Sequence, residues 1–279
     1  MEYFNYNGKT FKEQTAVLQA SSRGLRFGDG LFETMKSIHG RLQFTDEHFA
    51  RLWHGMQVLQ FNIPRHFTPD SLQEEIVTLL LKNGHQQMAR IRITVFRGDG
   101  GLYDAVNHTP NYVIQTWPLP EESGAWNSNG LVLGIYGDVK KSCDVLSNLK
   151  HNNFLPYVMA AMHAKNEKWN DAVLLNTSGR ICDSTIANIF IIKDDLVSTP
   201  ALAEGCIAGI MRKNMIQQLA KMNQPVIETE LTVDDLLAAD EVFLTNSIHH
   251  MRWVQAIGNK IYSHARAEKI YNAVFATNL

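Results

Sequence analysis

The sequence has few cysteines and no long apolar run. Only three of its 279 residues are cysteine, at 143, 182 and 206, and their odd number and irregular spacing fit neither a disulfide framework nor a zinc site. The longest apolar stretch, Ile76 to Leu81, is interrupted by Thr78 and is far shorter than the roughly 20 residues that span a bilayer. The amino terminus lacks the basic start and apolar run of a signal peptide. We therefore expect a reduced, cytoplasmic protein without a metal site or a membrane segment.

The chain also has little net charge. The formal net charge is -2 and the isoelectric point is near 6.6, so nothing attracts the chain to nucleic acid or to anionic lipid. No internal repeat or low-complexity segment is visible. A chain of 279 residues is long enough for two ordinary domains with real cores, and we expect its partners to be small molecules.

Helical and strand patterns are interleaved along the chain. Asn7-Gly8 between alternating aromatic and polar residues predicts a hairpin, and Thr68-Pro69-Asp70-Ser71 predicts a helix start. Few regular βαβ units are present, which favours two α/β domains of the α+β type over a doubly wound sheet. The stretch Trp117 to Gly124 has the proline, glycine and charge content of a linker. We predict domains at 1-118 and 119-279.

Three glycines, Gly24, Gly28 and Gly30, precede a predicted strand at Leu31 to Ile38. They indicate either tight turns in a sheet or a place where the backbone packs closely against another part of the protein or a ligand. Phe32 lies in the predicted strand.

Lys150 stands just before a predicted helix that has a proline in its first turn. One interpretation is a surface lysine, since charged residues are mostly exposed. The other is a lysine held in a partly apolar pocket by Val145 and Leu149 before it. Such a lysine can act as a nucleophile toward carbonyls.

Two further sets of basic residues allow two interpretations each. Arg51 falls beside the apolar stripe of a helix that Thr45 or Asp46 can cap, where it can meet either solvent or a phosphate. Arg90 and Arg92 share one face of a predicted strand at Ala89 to Arg97. That face is either a solvated edge or a surface that binds anions.

Five segments occur in an order that is specific to one family. They are Arg23 to Thr34, His48 to Leu52, Ser147 to Tyr157, Asp183 to Phe190, and Ala208 to Arg212. Together they resemble the class IV, or fold type IV, pyridoxal-phosphate enzymes, which include branched-chain and D-amino-acid aminotransferases and aminodeoxychorismate lyase. The resemblance covers nearly the whole chain and implies the D-amino-acid aminotransferase-like fold and a homodimer.

The resemblance implies pyridoxal 5'-phosphate (PLP) as cofactor and a role for each motif. Lys150 would carry the cofactor and move protons at the substrate carbon. Arg51 would bind the phosphate, together with the backbone N–H groups of Ile210 and Met211 at a helix start and with Asn246 and Ser247. Asp183 would face the ring nitrogen. Phe32 and Arg92 would contact substrate.

Two departures from the family pattern stand out. Asp183 occupies the position of the family's glutamate, so its side chain is one methylene shorter. The stretch from Asp99 to His108 has no counterpart of the Arg-x-His that traps the carboxylate in D-amino-acid aminotransferases.

Three functions therefore remain open from the sequence. The first is 4-amino-4-deoxychorismate lyase, which eliminates pyruvate to give 4-aminobenzoate in folate biosynthesis. It is favoured by the segments Gly30 to Thr34 and Gly209 to Arg212 and by Asn246, which look closer to the lyases. The second is an amino-acid aminotransferase, branched-chain or D-specific. The third is a non-catalytic PLP-binding homologue in which Lys150 and Asp183 are relics.

Overall fold

The computed structural model describes residues 2–275. The chain forms two compact units, and the boundary between them is crossed more than once. One unit holds the chain up to Ser123 together with Lys150–Asn153, and the other holds Gly124–Leu149 and the chain from Phe154 onward. The predicted domains, 1-118 and 119-279, stay a prediction.

The first unit is an antiparallel sheet with three helices. The sheet has the strand order β2-β1-β6-β5-β3-β4. Its strands are β1 (Tyr3–Tyr6), β2 (Lys9–Lys12), β3 (Gly30–Ile38), β4 (Arg41–Leu42), β5 (Met88–Arg97) and β6 (Pro110–Pro118), and its helices are α1 (Arg23–Phe27), α2 (Thr45–Val58) and α3 (Pro69–Lys82).

Local sequence signals explain several of these elements. Asn7, with a φ of 49°, and Gly8 make the turn between β1 and β2, as the hairpin signal predicts. Thr68 caps α3: its hydroxyl accepts from the Ser71 N–H while the Ser71 hydroxyl accepts from the Thr68 N–H. This reciprocal capping satisfies two backbone donors that a helix start leaves without partners.

The two faces of β3 have different characters. Leu31, Glu33 and Met35 point toward the helices, opposite Val95, Ile93 and Ile91 of β5. The intervening residues Phe32, Thr34 and Lys36 stand on the other face, opposite Thr94, Arg92 and Arg90. A strand places successive side chains on opposite faces, so this register fixes which residues share a surface.

The second unit is a mixed sheet with three longer helices and one short one. The strand order is β12-β11-β10-β13-β14-β7-β8-β9, with β15 paired to β14. The strands are β7 (Leu131–Lys141), β8 (Asp171–Asn176), β9 (Ile181–Ser184), β10 (Asn188–Lys193), β11 (Leu196–Pro200), β12 (Ile227–Thr229), β13 (Glu241–Asn246), β14 (His250–Ile257) and β15 (Lys260–Ile261). The helices are α4 (Leu155–Asn166), α5 (Ile210–Lys221), α6 (Val233–Ala238) and α7 (Ala265–Phe275).

Alternate residues of the second sheet build two apolar clusters. One includes Leu133, Val173, Ile189, Val242 and Val254 and packs against α6. The other lies under α4, where Tyr157, Ala160 and Ala164 contact Leu174 and Cys182. The β8–β9 hairpin therefore separates two cores.

The α+β class predicted from the sequence is confirmed. Five elements were not predicted: α1, β9, β11, β14 and β15. None of the helices in the described part of the chain has the length and apolarity that crossing a membrane needs.

Candidate active site

The segment that carries Lys150 is paired with β3. The Phe32 N–H donates to the Lys150 carbonyl at 2.8 Å, and the Asn152 N–H donates to the Gly30 carbonyl at 2.9 Å. Leu31 and His151 form an antiparallel bridge between these bonds. The backbone of Lys150 is therefore fixed by a sheet-like ladder.

Two glycines make room for this ladder. A Cβ at Gly30 would collide with the Val95 carbonyl and the Asn152 side chain, and one at Gly28 would collide with the Asn153 side chain. Gly28 also has a φ of 62° and ends α1. Of the two interpretations of these glycines, close packing is the one found here, and the structure identifies the packed partner as the lysine segment.

The predicted reason for the placement of Lys150 needs correction. Leu149 is buried as expected, but Val145 is 75% exposed and cannot wall a pocket. Backbone pairing to β3 fixes Lys150 instead.

The side chains of Lys150 and Arg92 both lie against the Phe32 ring. Lys150 Nζ is 4.5 Å from the ring centre, and the Arg92 guanidinium carbon is 3.8 Å from it. Arg92 Nε donates to the Thr94 hydroxyl, and no ion pair joins Arg92 to an acidic side chain among residues 2–275. Burial, with a smaller contribution from the charge of Arg90, lowers the pKa of Arg92 to about 10. The three predicted residues Lys150, Phe32 and Arg92 are thus brought together within one unit.

Arg51 is held by a carboxylate that the sequence analysis did not single out. Its Nε and Nη2 donate to the two oxygens of Glu33 at 2.7 and 2.6 Å, and His48 Nδ1 lies 2.7 Å from the same carboxylate. Burial by itself raises the pKa of Glu33, but Arg51 and His48 outweigh it and hold the pKa at about 2. The stripe of α2 that carries Arg51 therefore packs against β3 and is not a solvated face.

In the second unit, Ile210 and Met211 open α5 directly after Gly209. The first N–H groups of a helix have no partner within it and carry the positive end of its dipole. A Cβ at Gly209 would collide with the Asn188 side chain, so only glycine fits at this cap. These amides suit a phosphate.

The turn after β13 holds the other predicted phosphate residues. The Asn246 side-chain oxygen accepts from the Ile248 and His249 N–H groups at 3.0 and 2.8 Å, which makes it a turn-forming residue. Ser247 is half-buried. The Thr245 hydroxyl is buried and has no hydrogen-bond partner among the described residues.

Asp183 is enclosed by donors from its own unit. Its Oδ2 accepts from Lys141 Nζ at 2.9 Å, Tyr157 Oη at 2.8 Å and the Ile207 N–H at 3.0 Å. Its Oδ1 accepts from Asn188 Nδ2 at 2.9 Å. Asn188 also donates to the Ile207 carbonyl, so this network fastens the loop that leads into α5.

The chain is similar to a known protein family and to individual members of it. The family model described as "Amino-transferase class IV" matches residues 30–257. The chain belongs to the class IV aminotransferase family. It is 31% identical to the aminodeoxychorismate lyase of Vibrio harveyi over 228 residues, which cover 81% of this chain and 82% of that protein.

Other members of the family match with different activities in their names. The chain is 26% identical to the D-alanine aminotransferase of Bacillus licheniformis over 258 residues, covering 87% of this chain and 83% of that one. The branched-chain amino acid aminotransferase structure from Escherichia coli superposes with a TM-score of 0.86 at 20% identity, covering 99% of this chain and 93% of that one. This likeness confirms the fold-type IV architecture.

Class IV aminotransferase family members are PLP-dependent transaminases and lyases, and the chain is an enzyme of this family. The donors present suit a phosphorylated cofactor. The Thr245 hydroxyl, which has no partner among the described residues, and the α5 amides are groups whose chemistry suits a phosphate, and a lysine amine is a group that can bond an aldehyde. Asp183 Oδ1 accepts one hydrogen bond in the described chain, and a carboxylate oxygen has lone pairs for a second.

Two buried charges that contact the predicted site residues escaped the sequence analysis. Glu33 lies among mainly apolar residues of β3, and a charge in such a strand was a usable signal that it is paired. Lys141 gave no such signal, because its partner is 42 positions away in sequence and lysines are almost never buried.

Proposed function

We propose that the chain is a 4-amino-4-deoxychorismate lyase, which eliminates pyruvate and forms 4-aminobenzoate. The observation that carries the proposal is the cluster of Lys150, Phe32 and Arg92 in the first unit. It joins an amine that can carry PLP to a cation that has no acidic partner among residues 2–275. The lyase is preferred to a transaminase because Met211 stands where a threonine usually follows Gly-Ile in transaminases, and because of the similarity to the Vibrio harveyi lyase.

Each residue has a defined part in this reaction. When bound, PLP withdraws electrons from the substrate carbon that bears the amine. Lys150 Nζ takes the proton from that carbon and returns a proton later, as a general base and acid. Arg92 binds a substrate carboxylate through its planar fork, and Phe32 supplies the apolar wall behind the reacting amine.

The same proposal assigns the cofactor contacts. Arg51 and the α5 amides of Ile210 and Met211 bind the phosphate, with Asn246 shaping the turn that presents Ser247. Asp183 would accept a hydrogen bond from the protonated ring nitrogen. Glu33 and His48 orient the Arg51 fork, because two of the five guanidinium donors are bonded to Glu33.

An amino-acid aminotransferase is the second candidate, and the similarity to the Bacillus licheniformis D-alanine enzyme favours it. A D-specific enzyme is the weaker form of this candidate. Arg97 and His108 do contact each other at 3.1 Å, but Arg97 is buried and bonded to Asp29 and to the Leu59 carbonyl. This pair therefore anchors the loop between β5 and β6.

One assay separates the candidates. The PLP-loaded protein is incubated with 4-amino-4-deoxychorismate, and pyruvate and 4-aminobenzoate are measured. In parallel it receives branched-chain or D-amino acids with 2-oxoglutarate, and glutamate is measured. The lyase proposal expects equal amounts of pyruvate and 4-aminobenzoate, both lost in Lys150→Ala. Glutamate formation without 4-aminobenzoate identifies an aminotransferase, and no product in either arm identifies a non-catalytic homologue.

A homodimer in the cytoplasm is part of the proposal. Helix α4 exposes Leu155, Val158, Met159 and Met162, which share one side of the helix by their spacing. Such an exposed apolar stripe marks a protein contact. Sedimentation should give a dimer that Met162→Glu dissociates and Lys221→Glu, which changes an exposed lysine at the end of α5, does not. The three cysteines are unpaired, which supports a reducing compartment.

A further inference from the structure

Lys141 lies at the end of β7. Neither the family motifs nor the proposed mechanism uses it. Its Nζ donates to Asp183 Oδ2 at 2.9 Å and to the Gly205 carbonyl at 2.6 Å. The side chains of Lys141 and Asp183 are only 8% and 2% exposed. A charge pair this deeply buried is costly to form.

The donors around Asp183 are distributed unevenly between its two oxygens. Oδ2 accepts from three donors, of which the Lys141 ammonium is the only charged one, whereas Oδ1 accepts from Asn188. Oδ1 is therefore the oxygen that can accept a hydrogen bond from a further donor. The Lys141 charge lies on the opposite oxygen of the same carboxylate.

Burial lowers the pKa of Lys141, but the attraction of Asp183 outweighs burial and leaves that pKa raised. Burial and the negative charge of Asp183 raise the pKa of the Tyr157 hydroxyl well above its usual value. Both neighbours therefore keep the protons that they donate to Asp183.

We propose that Lys141 is a positioning residue that weakens the hold of Asp183 on the ring-nitrogen proton of bound PLP. The inference rests on the proposed cofactor role of Asp183. A cation on one oxygen lowers the basicity of the other, and it also repels a positive charge at the ring nitrogen. The ring nitrogen then loses its proton at a lower pH than it would beside an unpaired aspartate.

This weakening has a chemical consequence for the choice of reaction. Elimination that yields an aromatic product has a driving force of its own, and it tolerates a weaker electron sink. Reversible transamination has no such aid. The Lys141–Asp183 pair thus biases the site toward elimination, together with the shorter side chain of Asp183.

The test measures the ring nitrogen directly. Protein is loaded with PLP labelled with ¹⁵N at the ring nitrogen, and the ¹⁵N chemical shift is followed against pH. In Lys141→Met the titration midpoint should rise by about one to three pH units, the range for loss of one neighbouring charge. Lys141→Arg, which keeps the charge, should stay near the wild-type midpoint. Lys140→Met alters the neighbouring exposed lysine and should leave the midpoint unchanged.

A second variant covers the case in which Lys141→Met does not fold. Tyr157→Phe removes one neutral donor from the same Oδ2 and should raise the midpoint by a smaller amount in the same direction. Circular dichroism of each apo variant checks the fold. Unchanged midpoints in folded, PLP-loaded Lys141→Met or Tyr157→Phe would overturn the proposal and leave Lys141 a structural residue.

Failure of the proposed function looks different. If borohydride fails to attach the cofactor to Lys150 in the unaltered protein, the cofactor assignment itself is wrong. If Lys150 is labelled and the midpoints do not move, only the role of Lys141 is lost.

Discussion

Lys150 and Phe32 are joined twice, once through the backbone and once through the side chains. The Phe32 N–H donates to the Lys150 carbonyl at 2.8 Å, and Lys150 Nζ lies 4.5 Å from the centre of the Phe32 ring. The backbone hydrogen bond fixes the position of the Lys150 main chain, and the ring contact shows where its amine lies. A side chain with four rotatable bonds is thereby directed to one surface of β3.

The first prediction is that this amine carries the cofactor. Borohydride reduction of the yellow, PLP-loaded protein should attach the label to Lys150, and peptide mapping should find it there. Lys150→Ala should retain no reducible adduct. Lys165→Ala changes an exposed lysine of α4 and should label as the unaltered protein does. A reducible adduct in Lys150→Ala would contradict the assignment.

Arg92 provides the second prediction. Arg92→Gln should lower kcat/KM by about 10- to 100-fold, since a charged hydrogen bond contributes about 1.5–3 kcal/mol, and the change should lie mainly in KM if the carboxylate is bound equally before and during reaction. Arg90→Gln is the matched control on the same face of β5, because Arg90 is exposed and stacks on Trp117. Equal losses in both variants would show a general field effect and no specific contact.

Much of the first unit could be predicted from local sequence. The Asn7-Gly8 turn, the Thr68 cap and the alternation along β5 each follow from neighbours in the chain, and each is confirmed. Strands β9 and β11 were missed because they are only four and five residues long. Periodicity needs a longer window than they offer.

The candidate site was predictable in its residue types but not in its supports. The motif around Lys150 indicated a cofactor lysine, yet the ladder to β3 that fixes it depends on a strand more than a hundred residues earlier. Likewise, the helix pattern placed Arg51 off the apolar stripe but could not reveal Glu33 beside it. Pairings between distant segments are a tertiary property, which one sequence does not encode in any local pattern.

The third prediction concerns Gly30, the residue that admits the lysine segment. Gly30→Ala should destabilise the protein by about 1–3 kcal/mol or more, because the added methyl collides with the Val95 carbonyl and forces the backbone to move. It should also reduce cofactor labelling of Lys150. Gly137→Ala is the control, since a Cβ at Gly137 meets no atom within 4 Å. Urea unfolding and borohydride labelling measure the two effects.

The last prediction follows from the carboxylate that holds Arg51. The pKa of Glu33 is about 2 in the folded protein, against an ordinary value of 4.5. A carboxyl whose pKa is depressed by folding stabilises the protein above its unfolded pKa, and that contribution is lost as the pH falls through the folded value. A shift of this size corresponds to roughly 3 kcal/mol. Urea unfolding of the apo protein should therefore show stability falling between pH 5 and pH 2 by roughly this amount through Glu33.

Glu33→Gln should be less stable at pH 7, because Arg51 loses a charged partner, and its stability should depend less on pH over that window. Glu74→Gln removes an exposed carboxylate of α3 and should keep the slope of the unaltered protein. Parallel pH profiles for Glu33→Gln and Glu74→Gln would mean that Glu33 titrates normally and that Arg51 is oriented by something else.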